Sequence, residues 1–397
     1  MNKTPKLRFK EFSGDWKEKR FNTIFLDIKN KTGDTVNYPL YSLTIEKGVV
    51  PKSERYEREF LVTKDEDNFK VVNKDEFVYN PMNLRFGALA RHKEDKSVSV
   101  SGYYNVFKVI DDSPCRFWDN YLKTNRMMYL YNTIATGSLI EKRRVHFSQF
   151  IELNLPVPSK SEQEKIASFF SLIDDKISLQ GEKFEALKDY KNGMMQKIFS
   201  RELRFKDDDG RDYPEWEERR FKDFVKINQG LQIPISDRYT SEGENRYFYI
   251  TNEFLKSSSD TKYYIENPPK SVICKEDDIL MTRTGNTGKV VTRVSGAFHN
   301  NFFKIDYDRY KYNKMFLYYV LTSHKIQKNI IRLAGTSTIP DLNHGDFYNI
   351  KIQLPTKKEQ DKMARLLIDL DIKIEKEQVK LDSLNEYKKG LLQQMLV

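Results

Sequence analysis

Two long stretches of the chain repeat each other. Residues 161–199 read SEQEKIASFFSLIDDKISLQGEKFEALKDYKNGMMQKIF, and residues 358–396 read KEQDKMARLLIDLDIKIEKEQVKLDSLNEYKKGLLQQML. They align without a gap at an offset of 197 residues. A helix of that length spans about 58 Å, far more than an average globular helix. The repeat therefore predicts two similar long helices, each of which follows a stretch of unlike sequence.

Apolar residues in both copies alternate at spacings of three and four, which is the pattern of a coiled-coil seam. Polar residues interrupt the two seams at the same places, Gln180 with Glu377 and Lys191 with Lys388. The shared seam and shared interruptions favour two helices that pack on each other over two independent amphipathic helices, each covering its own domain. The predicted seam residues are Ile166, Phe170, Ile173, Ile177, Phe184, Leu187 and Met194 in the first helix, and Met363, Leu367, Leu370, Ile374, Leu381, Leu384 and Leu391 in the second.

The ends of the two repeated stretches also match. Ser159–Glu162 and Thr356–Glu359 both fit the S/T-x-x-E capping box, in which the glutamate side chain closes the start of a helix. Near the other end, Gly193 corresponds to Gly390. A glycine inside a helix costs about 1 kcal/mol against alanine. Its presence in both copies suggests that another backbone approaches closely there, although simple tolerance explains it too.

The 397 residues favour two domains rather than one. Trp16 and Trp216 mark matching openings of the two halves, whereas residues 33–100 have little counterpart in 230–296. We predict domains at residues 1–158 and 201–355, with spacer helices at 159–200 and 356–397.

Each predicted domain is of mixed α/β type and rich in strands. Short alternating runs such as Asp75–Tyr79 and Asp278–Met281, broken by Gly, Asn and Pro turns, indicate the strands. Phe150–Leu153 and Phe347–Ile350 read as the strands that lead out of each domain toward its helix. The predicted fold class is therefore α+β, with an internal pseudo-twofold repeat.

The composition favours a polyanionic partner without requiring one. Lys and Arg number 68 against 58 Asp and Glu, a formal charge of +10. Cys115 and Cys274 lie in different halves and read as reduced thiols. The N-terminus lacks the apolar run of a signal peptide, and no apolar stretch approaches the roughly 20 residues of a membrane span. We expect a soluble cytoplasmic protein with no membrane contact.

Several strings resemble catalytic motifs and fail on inspection. Asn267–Lys270 lacks the ring that follows the prolines in amino-methyltransferases, and no methyl-donor loop accompanies it. Gly285–Lys289 has two residues between its glycines where a Walker loop needs four, and Val290 follows in place of Ser or Thr. The five histidines show no metal-ligand spacing. The sequence therefore predicts no catalytic residues and no metal site.

Polar and basic loops remain as candidates for contact with DNA, because Arg, Asn and Lys can bond base edges while Ser, Thr and Lys suit phosphates. Any one of these residues is more often part of a solvated loop, but their concentration in both halves favours binding. The candidates are Asn80, Asn83, Arg85, Arg91, Tyr103, Tyr104, Arg143 and Arg144 in the first half, and Arg283, Thr284, Asn286, Lys289, Asn300, Thr336 and Ser337 in the second.

This organisation resembles the specificity (S) subunit of type I restriction–modification systems over the whole chain. The resemblance rests on the helix openings Ser161–Ala167 and Glu359–Ala364, on the Leu-Pro exits before them, and on the matching domain openings. It implies two target recognition domains, each of which reads one half of a bipartite DNA sequence. It also implies that the long helices form an antiparallel coiled coil that spaces the domains and sets the gap between half-sites.

The same resemblance implies the partners. They are double-stranded DNA, two modification (methyltransferase) subunits and two ATP-dependent restriction subunits. S-adenosylmethionine, ATP and magnesium would belong to those partner subunits, and this chain would bind no cofactor and carry no catalysis. Because the two halves differ in sequence, we expect an asymmetric target.

Two other functions stay open from the sequence. The chain could be a stand-alone DNA-modifying enzyme, although the missing donor loop and metal cluster argue against it. It could also be a protein adaptor whose coiled coil joins two protein-binding domains. Binding to duplex DNA that weakens with salt would distinguish a specificity subunit from a protein adaptor.

Overall fold

The computed structural model describes residues 4–52, 69–256, 261–335 and 340–396. The chain divides into two compact units. Unit 1 comprises Met1–Glu182 with Val379–Val397, and unit 2 comprises Lys183–Gln378. Each unit thus holds one half of each long helix, and each is described below by itself. The domain boundaries predicted at 158/159, 200/201 and 355/356 stay predictions.

Unit 1 combines short strands and short helices with the first part of one long helix and the last part of the other. In chain order its elements are β1 (Lys17–Arg20), β2 (Phe25–Ile28), β3 (Lys31–Thr32), β4 (Tyr41–Thr44), β5 (Gly48–Pro51), β6 (Phe69–Val72), β7 (Phe77–Tyr79), β8 (Leu89–Arg91), β9 (Val98–Val100), β10 (Asn105–Val109), α1 (Cys115–Tyr121), α2 (Asn125–Ile134), α3 (Phe147–Phe150), β11 (Asn154–Val157) and α4 (Lys160–Phe199), of which the residues up to Glu182 belong here.

Unit 2 has the same plan. Its elements after the second half of α4 are β12 (Glu217–Arg220), β13 (Val225–Gln229), β14 (Arg246–Ile250), β15 (Tyr264–Glu266), β16 (Ile273–Cys274), β17 (Ile279–Thr282), β18 (Val290–Val291), β19 (Gly296–Phe298), β20 (Phe302–Tyr307), α5 (Lys314–Thr322), α6 (His324–Ala334), α7 (His344–Asn349), β21 (Lys351–Leu354) and α8 (Lys357–Met395), of which the residues up to Gln378 belong here.

One four-stranded antiparallel sheet is common to both units. Its strand order is β2-β10-β7-β8 in unit 1 and β13-β20-β17-β18 in unit 2. The strand that opens each unit pairs with the strand that closes it, β1 with β11 and β12 with β21. The remaining sheets differ, with β3-β6-β9 and β4-β5 in unit 1 against β15-β14-β19-β16 in unit 2. These unlike sheets fall in the regions whose sequences diverge.

The predicted exit strands are wrong in position. Each begins about one turn later, at Asn154 and Lys351, because the preceding residues form the short helices α3 and α7. Local capping explains the difference. The Gln149 side chain accepts from the His146 backbone N–H at 2.9 Å, and the Asn343 side chain accepts from the backbone of Gly345 at 2.7 Å.

Aromatic side chains fill the core beneath each common sheet. In unit 1, Phe150 is fully buried and its ring lies 5.1 Å from that of Phe107. In unit 2 the equivalent Phe347 stacks on Phe221 at 4.6 Å. The helices α3 and α7 therefore place one buried phenylalanine each under the sheet, which a strand in that position would not do.

The predicted pairing of the long helices is confirmed. The start of α4 and the end of α8 share the core of unit 1, where Ile166 and Phe170 lie with Leu391 and Met395. The end of α4 and the start of α8 share the core of unit 2 in the same way. The helices therefore run antiparallel, and every predicted seam residue is buried or partly buried.

The lysine interruptions of the seam form symmetric ion pairs. Lys191 pairs with Asp371 in unit 2, and Lys388 pairs with Asp174 at 2.5 Å in unit 1. Because both members of each pair differ by the 197-residue offset, the two pairs are equivalents of one another. In unit 2 the Tyr319 hydroxyl also donates to Asp371 at 2.6 Å, and burial with this hydrogen bond raises the pKa of the phenol.

The two glutamates predicted to close capping boxes bind arginine side chains. Arg8 donates to both oxygens of Glu162 at 2.7 Å. Arg204 donates to Glu359 at 2.9 Å, and the Trp216 indole N–H donates to the same carboxylate at 3.0 Å. The motif correctly marks where the helices start, but these carboxylates anchor the opening segments of the domains.

Glu359→Ala is expected to lower the free energy of unfolding of unit 2 by roughly 2–4 kcal/mol. Glu359 is 0% exposed, so its loss leaves Arg204 and the Trp216 N–H without their buried acceptor. Urea unfolding followed by tryptophan fluorescence measures the change. Glu202→Ala, which removes a carboxylate from an exposed pair with Lys197 in the same unit, is the matched control and should change stability by less than about 0.5 kcal/mol. Equal effects of the two changes would contradict this account.

In the described residues, no helix combines the length and the apolar character that crossing a membrane requires.

Candidate nucleic-acid interface

Two loops of unit 1 leave the common sheet at the same end. Tyr79, the last residue of β7, pairs with Asn105 at the start of β10 and with Leu89 at the start of β8. The loop 80–88 and the turn 101–104 therefore emerge side by side. They carry the predicted residues Asn80, Asn83, Arg85, Tyr103 and Tyr104.

A third segment joins them. The Val145 backbone N–H donates to the Pro81 carbonyl at 2.9 Å, and the Tyr79 hydroxyl donates to the Val145 carbonyl at 3.3 Å. These bonds hold Arg143 and Arg144 against the loop that follows β7. We name residues 80–88, 101–104 and 143–145 loop end 1.

The loop 80–88 is tightly folded. The Asn80 side chain accepts from the Met82 backbone N–H at 3.0 Å, so this residue holds the turn rather than projecting from it. Asn83 is exposed, and a single 3-10 turn follows at Leu84–Phe86. The Arg85 guanidinium lies 4.5 Å from the centre of the Phe86 ring. The outward groups of this loop are therefore Asn83, Arg85 and Phe86.

The two tyrosines of loop end 1 differ in role. Tyr103 is exposed, whereas Tyr104 packs against a cluster of buried valines, and burial raises the pKa of its phenol. The Lys70 ammonium donates to the Tyr104 carbonyl at 2.7 Å. Tyr104 therefore anchors the turn that presents Tyr103.

Arg91 lies away from this group. It pairs with Phe77 at the opposite end of the sheet and forms an ion pair with Asp75. Its guanidinium also lies 3.6 Å from Asp119, at a cleft of about 310 Å³ that faces α4. Burial of Asp119 would raise the pKa of its carboxyl, but the cations around it, Lys123 foremost, hold that pKa below its ordinary value. The structure thus separates Arg91 from the other candidates of unit 1.

Unit 2 has the equivalent loop end. Thr282 at the end of β17 pairs with Phe302 at the start of β20. The Arg283 N–H donates to the Asn301 carbonyl at 2.7 Å, and the Leu342 N–H donates to the Arg283 carbonyl at 2.9 Å. Residues 283–289, 299–301 and 340–342, which we name loop end 2, are therefore held together as in unit 1. They carry the predicted residues Arg283, Thr284, Asn286, Lys289 and Asn300.

Arg283 is engaged within this loop end. It donates to both oxygens of Asp341, at 3.0 and 2.7 Å, and the Thr284 hydroxyl bonds the same carboxylate. The Arg283 hydrogen bond lowers the pKa of Asp341 below its ordinary value. This bidentate pair fixes the loop, and the exposed Asn286 and Lys289 are its outward groups.

Asn300 lies beside a residue that the sequence did not single out. Its side-chain amide donates to the Gln232 side chain at 3.0 Å. Behind the loop, the Asn252 amide donates to the Thr284 carbonyl at 3.2 Å, and a Cβ at Gly285 would come within 2.4 Å of that amide. A side chain at position 285 would therefore clash with the Asn252 amide. The predicted Thr336 and Ser337 lie outside the described residues.

A second surface recurs on the long helices. Residues at spacings of three, four and three lie on one face of each helix and correspond at the 197-residue offset, and all of them are exposed except Gly390, which is partly buried. Tyr190 and Tyr387 are 56% and 58% exposed. A Cβ at Gly193 or Gly390 would meet nothing of this chain within 4 Å. We name these surfaces the tyrosine stripes: Lys183, Ala186, Tyr190 and Gly193 in unit 2, and Lys380, Ser383, Tyr387 and Gly390 in unit 1.

The side chains that project from the two loop ends can bind a partner through hydrogen bonds and charge. No group of three or more His, Cys, Asp or Glu side chains in the described residues could hold a metal ion. Apart from the Phe86 ring, the outward groups are amides, hydroxyls and cations, which suit base edges and phosphates. Two unlike polar loop ends carried on similar sheets define a class of protein with two separate recognition surfaces.

The family follows from comparison with known proteins. Residues 15–189 and 213–386 each match the family described as type I restriction modification DNA specificity domain. This chain belongs to that family, and it contains the domain twice.

Curated relatives agree. The chain is 26% identical over 268 residues to the type I restriction enzyme MjaVIII specificity subunit of Methanocaldococcus jannaschii. The aligned residues cover 62% of this chain and 62% of that protein. It is 26% identical over 332 residues to the putative type I restriction enzyme MjaX specificity subunit of the same organism, covering 81% of this chain and 72% of that protein. The chain thus spans less than two thirds of the length of the first of these relatives.

Solved structures share the fold. The S subunit of a type I restriction-modification system from M. genitalium matches with a TM-score of 0.57 at 16% identity, over 99% of both chains. A chain from a structure concerned with complex assembly and conformational transition of the type I R-M system matches with a TM-score of 0.60 at 14% identity, over 96% of this chain and 97% of that one.

Proposed function

We propose that this chain is the specificity subunit of a type I restriction–modification complex and reads double-stranded DNA as two unlike half-sites. The observation that carries the proposal is the pair of loop ends. They lie at corresponding ends of the two equivalent sheets but present different side chains. In this proposal loop end 1 contacts one half-site through Asn83, Arg85, Tyr103, Arg143 and Arg144.

Loop end 2 contacts the other half-site through Asn286, Lys289 and Asn300, while Thr284 is bonded to Asp341. Arg283 acts here as a positioning residue, because Asp341 occupies its guanidinium. Asn80 and Tyr104 position loop end 1 in the same sense. Thr336 and Ser337 stay candidates from the sequence alone, because they lie outside the described residues.

In this proposal the tyrosine stripes bind the modification subunits. A chain that binds two copies of one partner must present the same surface twice, and the unlike loop ends cannot serve. The stripes meet this requirement because Lys, Tyr and Gly recur in them at one offset and the two tyrosines are almost equally exposed. Each stripe would take one modification subunit, whose backbone would approach the open glycine. The modification subunits would supply S-adenosylmethionine and methyl transfer. The two restriction subunits would supply the ATP- and magnesium-dependent steps, so this chain would carry no catalysis.

The two alternatives fit the structure less well. A stand-alone DNA-modifying enzyme would need a donor or metal site, whereas the outward groups of the two loop ends are amides, hydroxyls, cations and the aromatic rings of Tyr103 and Phe86. An adaptor for two proteins would not need basic and amide groups gathered at the same sheet end in both units. Methylation by the isolated chain would favour the enzyme, and duplex binding that does not respond to salt would favour the adaptor.

Methylome sequencing of a host that carries this chain with its modification subunit tests the proposal. We expect one methylated motif with two different half-sites separated by a fixed, non-specific gap. The asymmetry follows from the different side chains of loop ends 1 and 2. A host with the modification subunit but without this chain is the control and should lack the motif. A palindromic motif, or methylation of a single continuous sequence, would contradict the proposal.

A further inference from the structure

Phe86 is an apolar ring held outside the core of unit 1. It is 59% exposed and stands at the tip of the loop that follows β7. Its neighbour Leu84 is fully buried, so the turn is anchored on one side and presents a large apolar group on the other. Exposed apolar groups of this size at a binding surface are often part of the contact with a partner.

The backbone fixes the position of this ring. The Phe86 N–H donates to the Asn83 carbonyl at 2.9 Å, and the Gly87 N–H donates to the Leu84 carbonyl at 2.9 Å. Gly87 ends the turn with φ of +94°, a conformation that favours glycine. The ring is therefore presented on a closed, hydrogen-bonded turn, and little ordering would be needed when a partner binds.

One cation lies against the exposed ring, and two more are carried on the same loop end. The Arg85 guanidinium lies 4.5 Å from the ring centre, and its buried Nε has no hydrogen-bond partner in the described part of the chain. Arg143 and Arg144 lie on the adjoining segment of loop end 1. A surface that carries an apolar ring and arginines is suited to a nucleic acid. The ring can contact the apolar faces of the bases, and the arginines can contact the two rows of phosphates. An acidic protein surface would match the arginines but would leave the ring unused.

Loop end 2 has no such group. The corresponding loop 283–289 reads Arg-Thr-Gly-Asn-Thr-Gly-Lys and contains no aromatic or large aliphatic side chain. The two loop ends therefore differ in the kind of contact they can make, and not only in which bases they can bond.

We propose that Phe86 inserts part of its ring at one base step of the half-site bound by unit 1 and unstacks that step. The inference rests on the proposed function and adds a second mode of reading to it. Steps that unstack at low cost, pyrimidine–purine steps above all, are favoured at that position, so unit 1 selects sequence there through deformability. Loop end 2 reads its half-site by hydrogen bonds to stacked bases.

The experiment places 2-aminopurine, which brightens when it is unstacked, at successive positions of both half-sites of the target. Fluorescence is measured with the full chain in complex with its modification subunits. The methylated base itself is set aside, because methyltransferases flip their target base. We expect one further bright position, in one half-site only, that is lost in Phe86→Ala and retained in Phe86→Leu, since leucine also serves as a wedge.

Phe86→Ala is also expected to weaken duplex binding roughly tenfold, the usual effect of losing one ring from contact with a base. Tyr310→Ala is the matched control. It removes a more exposed ring from the far end of the sheet in unit 2 and should change neither fluorescence nor affinity.

The outcomes separate this inference from the proposed function. A wild-type complex that binds and methylates both half-sites without any Phe86-dependent bright position overturns the wedge and leaves the proposed function standing. Bright positions that respond equally to Tyr310→Ala also overturn it. Failure of the wild-type complex to bind the duplex at all overturns both.

Discussion

Arginine at both Gly193 and Gly390 is expected to abolish binding of the modification subunits and with it all methylation. A Cβ at either position meets nothing of this chain within 4 Å, and replacing a helical glycine favours the helix by up to about 1 kcal/mol. The fold should therefore tolerate the change, while a bulky cation blocks the close approach of a partner. Blocking a central contact of this kind weakens binding by at least about thirtyfold.

Stoichiometry makes this prediction sharper. Gly193→Arg alone should yield complexes with one modification subunit per chain instead of two, and Gly390→Arg alone should do the same. Native mass spectrometry or sedimentation velocity measures the ratio. The double variant should remain a free, folded chain.

Gly181→Arg is the matched control for both single variants. Gly181 lies in α4, and a Cβ there also meets nothing within 4 Å. Its counterpart in α8 is Gln378, so this glycine is not part of the repeated surface. Gly181→Arg should keep two modification subunits. Retention of both subunits by the double variant would refute the assignment of the stripes, whatever the state of DNA binding.

The long helices could be predicted in detail because their signal is local and periodic. The spacing of Ile166, Phe170 and Ile173 fixes which face is buried without knowledge of the rest of the chain. The repeat of the polar interruptions adds the partner helix. The symmetric pairs of Lys191 with Asp371 and Lys388 with Asp174 show why those interruptions recur.

The surroundings of the individual loop candidates could not be predicted from the sequence. Arg91 and Arg283 look alike in sequence, since each follows an apolar strand segment. Their surroundings are set by partners distant in the chain, Asp119 for Arg91 and Asp341 for Arg283. Nothing local indicates that carboxylates distant in the chain would pair with these guanidinium groups, and the role of both arginines in contact with DNA stays a prediction.

Phe86 was missed for a related reason. A phenylalanine is expected in the core, and only the structure shows that Leu84 fills that place while the ring points outward. The available signal was an aromatic residue directly before a glycine, at the end of a loop rich in Asn, Pro and Arg.

Lengthening both helices by one heptad is expected to widen the gap between the half-sites by about three base pairs. Duplicating residues 176–182 in α4 and 373–379 in α8 repeats the seam in phase and adds about 10 Å to the paired helices. At 3.4 Å per base step this increment equals about three base pairs if it is expressed fully along the DNA. The half-sites themselves should not change, because neither loop end is altered.

The added length also rotates the half-sites by about 100° about the DNA axis, which by itself can prevent binding. A companion variant with three added heptads removes this objection. It adds about 31 Å, or about nine base pairs, which is close to one turn of the duplex. Exchanging residues 176–182 with 373–379 between the helices is the length-neutral control and should leave the gap unchanged.

Methylome sequencing of hosts that carry these variants tests most directly whether two domains read two half-sites at a distance set by the helices. The account predicts the original half-sites, separated by a gap about three base pairs longer with one heptad or about nine longer with three. Methylation at the original gap by either lengthened variant would contradict it.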